Sequence, residues 1–218
     1  MILLVMAKAP VPGRVKTRLC PPATPEQAAA IAAAALLDTL DAVGAFPGGR
    51  TVLALAGDPA DVRCGSELTS VLRKVRIIRQ RGSCLGERIA AAHLDASAML
   101  PGLPILQVGM DTPQIDRGLL ETCRRRLHAP GVDAVLGPAD DGGWWALGLR
   151  DPKAASAIAG VETSLPDTGA RTEQALRRRG LRLALLPALS DVDTVEDAVR
   201  VAAAAPMTRF AAEVGKLL

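Results

Sequence analysis

Tyrosine is absent from this chain of 218 residues, and tryptophan and phenylalanine together supply only 2% of it. The core must therefore be built from Ala, Leu, Val and Ile, and apolar residues reach 49% of the sequence. Cysteine is sparse and unpatterned: Cys20, Cys64, Cys84 and Cys123 form no C-x-x-C pair. That spacing excludes the common zinc-ribbon and thioredoxin patterns and reads as free thiols in a reducing compartment. Histidine occurs twice, at His93 and His128, with no Ser or Cys partner at a telling spacing. Both read as structural. A net charge of +3 is too slight for a nucleic-acid surface and fits a small anionic ligand. The first apolar run is too short for a signal sequence and lacks a basic region before it. No segment approaches the roughly 18 apolar residues of a membrane span. The expectation is a soluble, cytoplasmic protein with no membrane span and no nucleic-acid partner.

What is present is a regular alternation of strand and helix patterns. Apolar Ile2–Met6 reads as a first strand, and Thr24-Pro25-Glu26-Gln27 opens an Ala-rich helix through a capping box. Further strands are predicted at Thr51–Leu55, Val75–Arg79, Pro104–Val108, Ala134–Leu136 and Leu181–Leu186, and Trp144–Leu149 reads as a strand that turns back. Helices are predicted at Leu85–Leu100, from Asp116 to Leu127, at Thr172–Arg179 and, as the last, at Thr194–Ala205. Repeated βα units of this length imply one α/β domain over residues 1–218, a mostly parallel sheet with helices on both faces.

In such sheets ligands bind at the carboxyl ends of the strands. The polar clusters fall there. After the first strand come Lys8, Arg14, Lys16 and Arg18, interrupted by Pro10, Pro12 and Gly13, with no acid before Glu26. Glycine lets backbone approach a ligand, and the cations supply charge-assisted hydrogen bonds to phosphate. Gly13-Arg14-Val15-Lys16-Thr17 shares the end of a P-loop but lacks its earlier glycine, and the two prolines oppose that loop's shape. Asp111, Asp140 with Asp141, and Asp191 with Asp193 follow three other strands. Cations on one strand end and carboxylates on others describe a site for a phosphorylated ligand with a divalent metal. Asp111 reads as a metal ligand, and Asp193 as either a second ligand or a helix cap. Asp140 or Asp141 would position or deprotonate an acceptor, with Gly142, Gly143 and Trp144 forming a wall for a sugar or base. The triplets Arg124–Arg126 and Arg177–Arg179 read as solvated helix charges.

Five segments in order resemble bacterial GT-A-fold, nucleotide-diphospho-sugar-transferase-like proteins of the radical-SAM/selenodomain-associated or arsenosugar-biosynthesis type. They are Ala7–Pro10 with Gly13–Leu19, Leu85-Gly86-Glu87-Arg88, Gly109–Pro113, Gly137–Ala139 with Asp141–Gly143, and Leu189–Thr194. The chain departs from that pattern at Ser83-Cys84, where an acid is usual, and at Glu162-Thr163-Ser164, where Trp-Ser-Thr is common. The resemblance implies a Rossmann-like GT-A sheet, a nucleotide over the first loop, and Mg²⁺ or Mn²⁺ on Asp111 and, by likeness to related nucleotidyltransferases, Asp193. It makes a metal-dependent transferase with a nucleotide-sugar donor the leading expectation, acting on a small-molecule acceptor, with a homodimer possible. Lys16 and its neighbours equally suit an NTP and a phosphorylated acceptor, the chemistry of phospholactate and molybdenum-cofactor guanylyltransferases. A catalytically silent nucleotide binder is the third alternative.

Overall fold

A computed structural model describes residues 1–62 and 65–217, so Cys64 lies outside the described residues. Seven strands form one sheet in the order β3-β2-β1-β4-β6-β5-β7. They are β1 (Ile2–Lys8), β2 (Arg50–Ala56), β3 (Arg76–Arg79), β4 (Ile105–Gly109), β5 (Ala134–Pro138), β6 (Trp144–Leu149) and β7 (Leu183–Leu185). Every pairing is parallel except those of β6 with β4 and β5, so the expected return of the Trp144 strand is realised inside the sheet. Val5 of β1 stands opposite Leu53 and Val108 on its two neighbours. Chain order runs one way from β1 to β2 and the other way to β4, which opens a crevice at their carboxyl ends.

β1 is apolar without alternation because both of its faces are covered. Leu3, Val5 and Ala7 pack beneath α1 (Pro25–Gly44), α2 (Ser66–Leu72) and α4 (Arg117–Leu127). Ile2, Leu4 and Met6 face α3 (Leu85–Met99), a 3₁₀ segment at Pro152–Ile158, and α5 (Thr168–Arg178). Each fully buried Leu or Ile contributes about 1.5–3 kcal/mol, so the alternate residues of one strand anchor both helical layers.

The expected caps form. Thr24 and Gln27 make the reciprocal capping box of α1, and Asp116 caps α4 by accepting from Leu119 N at 2.7 Å. Besides short 3₁₀ turns at Thr17–Leu19 and Pro59–Asp61, three elements go unread in the sequence: α2, the 3₁₀ segment at Pro152–Ile158, and α7 (Arg209–Val214), which follows α6 (Val195–Ala204) and replaces it as the last described helix. α5 also begins four residues earlier than its periodicity suggests.

α7 corrects a second expectation. α1, at 20 residues and mean hydropathy 1.3, is long and apolar enough to cross a membrane, and 67% of its most apolar window is buried inside the protein. Its inner face meets the sheet, while Ala28, Ile31 and Ala35 on its outer face are covered by Val201, Phe210 and Val214 of α6 and α7. A helix apolar all round is what burial on both sides requires. Arg209 clamps α7 in place through Asp38, Asp41 at 2.8 Å and Glu67 at 2.7 Å.

The Arg triplets lie in the last turns of α4 and α5, where Arg124 pairs with Glu121 and Arg177 with Glu173. His128 caps α4, its Nδ1 lying 2.8 Å from Arg124 O. Cys20, Cys84 and Cys123 are free thiols. Cys84 is exposed, whereas burial pushes the Cys123 thiol up to about 12. Native protein treated with iodoacetamide should carry label at Cys84 and none at Cys123 until denatured, as read by peptide mass spectrometry.

Candidate active site

Two cavities open side by side at the carboxyl ends of β1 and β4, sharing Met6, Arg18, Leu85, Asp111 and Asp193. The first, about 420 Å³, is lined by Lys8 at the end of β1, by Arg14, Lys16 and Arg18 of the loop that follows, and by Arg88 of α3. No ion pair engages Lys8, Arg14 or Arg88 among the described residues, so three cations face this cavity uncompensated. Gln80 ties off its edge, donating to Ala7 O and Ala54 O at 2.9 and 2.8 Å.

Lys16 and Arg18 are placed differently. The Lys16 side chain is only 8% exposed, and its ammonium lies 2.9 Å from Asp111 Oδ1 and 3.8 Å from Asp193 Oδ1 while donating to Val192 O. The Asp111 contact is an ion pair without hydrogen-bond geometry. Arg18 reaches Asp193 Oδ2 at 2.7 Å. Lys16 sits at φ +48°, a left-handed conformation uncommon for a side chain of this size and typical of functional sites. This lysine joins the loop after β1 to the loops that carry the carboxylates. Gly13 also has positive φ, +73°, and nothing crowds the space where a side chain would be.

The acidic half is assembled by the segment after β7. Leu189 bridges Ala139 beyond the end of β5, Gln114 donates to Ser190 O, and Val192 N donates to Asp111 O at 3.2 Å. This lacing brings oxygens of Asp141, Asp191 and Asp193 within 4.8 Å of one another. Burial, then the charges of Asp141 and Asp193, raise the Asp191 carboxyl to about 6, with Lys16 pulling the other way. Three hard oxygen donors on one wall are the donor set Mg²⁺ or Mn²⁺ takes, and they fit such an ion.

Asp193 is free for this role because Thr194 is the true cap. Its hydroxyl accepts from Asp197 N, and Asp197 accepts from Thr194 N at 2.8 Å. Asp191, absent from the ligands expected from sequence, joins the group, whereas Asp111 pairs with Lys16 and is not among its members. The Asp140–Asp141 pair is split. Asp141 lines the second cavity and accepts from Gly143 N at 2.7 Å, while exposed Asp140 accepts from Ser190 Oγ and lines neither cavity.

The second cavity, about 500 Å³, lies between the carboxylates, Trp144 and the segment Thr163–Thr168. Trp144 Nε1 donates to Thr172 Oγ1 at 3.1 Å, which pins the indole against α5. Gly143 lines the cavity, but Gly142 serves packing instead. At φ +85°, a Cβ there would lie 1.8 Å from Pro166 O. In the Leu85-Gly86-Glu87-Arg88 motif, a Cβ on Gly86 would meet Ile158 O at 2.4 Å, so this glycine lets α3 close on the 3₁₀ segment. Glu87 accepts from Ser83 N at 2.7 Å, and the motif thereby delivers Arg88 to the cationic cavity.

Behind this cavity His93 is fully buried beside Gln107, and burial lowers its pKa to about 4 against the opposing Gln107 hydrogen bond. The unfolded chain therefore binds more protons between pH 6.5 and 4, and stability falls as pH drops through that window, by up to about 3 kcal/mol. Urea midpoints at pH 7.5 and 4.5 should diverge for the native protein and diverge less for His93→Leu.

No curated protein sequence matches this chain. Its fold matches a protein of Desulfovibrio desulfuricans G20, provisionally assigned as a nucleotide-diphospho-sugar transferase, at 26% identity and TM-score 0.84 over 99% of this chain and 94% of the other. It is also similar to CMP:2-keto-3-deoxy-manno-octonic acid synthetase complexed with CTP, at 10% identity and TM-score 0.55 over 94% and 98% of the two chains. A Leptospira borgpetersenii cytidylyltransferase matches at 13% identity and TM-score 0.55 over 99% and 93%. The last two likenesses are of fold, and the sheet is of the GT-A and nucleotidyltransferase kind, as its sequence resemblance implies. A family match covers residues 39–165, which include Asp111 and Asp141–Trp144. That stretch exceeds half of the chain, which belongs to the bacterial family DUF2064, described as an uncharacterized protein conserved in bacteria.

Proposed function

We propose that this chain is a metal-dependent transferase using a nucleotide-diphospho-sugar donor. The observation that carries the reading is the division of one crevice into a cationic and an acidic half, with the Lys16 ammonium between them. The likeness to the Desulfovibrio protein supports it. Lys8, Arg14 and Arg88 hold the diphosphate, Gly13 leaves backbone room beside it, and the sugar extends into the second cavity against Trp144. Asp141, Asp191 and Asp193 hold Mg²⁺ or Mn²⁺, which when bound neutralises charge on the diphosphate leaving group. Lys16 fixes Asp111 and Asp193 at the seam and supplies positive charge where the leaving group forms. Asp140 acts at one remove, holding Ser190 and with it the loop that carries Asp191. The narrower placement among the radical-SAM/selenodomain-associated or arsenosugar-biosynthesis transferases belongs to this reading.

A second reading has one observation in its favour. Three uncompensated cations in the first cavity also suit the greater charge of an NTP, attacked at its α-phosphate by a phosphorylated acceptor. Incubation with NDP-sugars or NTPs, Mn²⁺ and candidate acceptors separates the two. NDP release from a sugar donor is the expected result; pyrophosphate release supports the second reading. Nucleotide binding without turnover across the panel supports a silent binder and contradicts both.

A further inference from the structure

Gln107 of β4 is 3% exposed, yet its side chain lines the second cavity. Among the described residues its only side-chain partner is His93, whose Nε2 lies 3.0 Å from Gln107 Oε1. The four buried side-chain atoms without a hydrogen-bond partner, among the described residues, are His93 Nδ1, Asp111 Oδ1, Thr112 Oγ1 and Gln114 Oε1. Gln107 Nε2 is not one of them and makes no hydrogen bond to a described residue, so it keeps its open contact at the cavity. Donor counting fixes the orientation. If His93 Nε2–H donates to Oε1, the buried Nδ1 keeps only an unused lone pair. The reverse orientation would strand an Nδ1–H, the costlier defect. With its pKa near 4, His93 stays neutral at physiological pH. The amide N–H₂ of Gln107 is thus locked outward, toward the cavity that Met6 and Ile89 also line.

The charges around this cavity restrict what the amide meets. Asp111, Asp141, Asp191 and Asp193 line it, and the one cation that does among the described residues, Arg18, is engaged by Asp193. The uncompensated cations lie in the other cavity. Even with a divalent ion on the carboxylates, no side-chain cation among the described residues remains here to receive a second phosphate.

We infer that the second cavity takes an uncharged, hydroxyl-bearing sugar rather than a phosphorylated group, and that Gln107 reads one of its oxygens as a specificity-determining donor held in place by His93. The inference rests on the donor reading above. His93 is a positioning residue: it touches no ligand, and it acts by denying Gln107 its rotation.

The test compares affinities of UDP, GDP, ADP, CDP and TDP with those of their glucose conjugates, all with Mn²⁺, by calorimetry on the full chain. The native protein should bind one conjugate more tightly than its NDP. Gln107→Leu should remove about three- to tenfold of conjugate affinity, the value of one neutral hydrogen bond. NDP affinity, set in the cationic cavity, reports whether the fold is retained. His93→Leu should weaken the conjugate selectively as well. The double variant H93L/Q107L removes both buried polar partners together and so guards against misfolding of either single variant. Loss confined to the conjugate supports the inference. Equal conjugate affinity in native protein and H93L/Q107L overturns it while the donor reading stands, and so does tighter binding of glucose 1-phosphate than of glucose in the presence of NDP. Failure of every NDP and conjugate to bind native protein overturns the donor reading and the inference with it.

Discussion

Replacing Lys16 by methionine is expected to lower turnover by about 10²–10³-fold, the usual cost of removing one preorganised charge from a leaving-group site. Methionine keeps most of the length and apolar stem, so the loss reports charge. The same change leaves Asp111 and Asp193 without their shared ammonium. Both carboxylates are partly exposed, which softens a penalty that full burial would make larger, and about 1–3 kcal/mol of stability should be lost. Mn²⁺ should then stabilise the variant more than the native protein, because the carboxylates of Asp141, Asp191 and Asp193 remain and their repulsion is less compensated. Thermal melts with and without Mn²⁺ measure this. Unchanged turnover, once a donor is in hand, would remove Lys16 from the mechanism.

Gly142→Ala should cost about 2–4 kcal/mol, combining backbone strain at φ +85° with a Cβ driven onto Pro166 O. For a chain of this size that corresponds to a Tm lower by roughly 4–16 °C. Backbone, not a flexible side chain, occupies the space, so relief requires the segment around Pro166 to move. Gly169 N, which donates to Gly142 O at 2.8 Å, would move with it and open the wall of the second cavity. A melting temperature within a degree of the native value would contradict this packing.

Periodicity and caps carried most of the architecture. The unbroken apolar run of β1 announced a strand covered on both faces, and Thr24 with Gln27 fixed where α1 begins. α7 escaped because six residues hold too few turns for a period, although its burial against α1 explains that helix's unusual hydropathy. In the site, the strand-end rule located every cluster but not its pairings. Lys16 meets Val192, 176 positions away, and Asp191 meets Asp141 only because Leu189 is laced onto the end of β5. Four cations without a neighbouring acid in sequence look equivalent, yet folding neutralises Lys16 and Arg18 and leaves Lys8 and Arg14 open. Local sequence offered Asp193 or Thr194 as the cap before an acid three residues on, and the fold chooses Thr194. Thr194 with Asp197 forms a complete capping box, which frees Asp193 from capping. Gln107 and His93, 14 residues apart on a strand and a helix, gave no signal.

The most direct test of a two-part nucleotide and metal site is a thermal-shift matrix of nucleoside diphosphates with and without Mn²⁺, on native protein and Asp193→Asn. A nucleotide at about 100 times its Kd should stabilise the native protein by about 2.7 kcal/mol. This gain should appear with nucleotide and Mn²⁺ together, and shrink when either is omitted or when Asp193 loses its charge. A native protein that melts at the same temperature with every nucleotide, Mn²⁺ present or not, would contradict it.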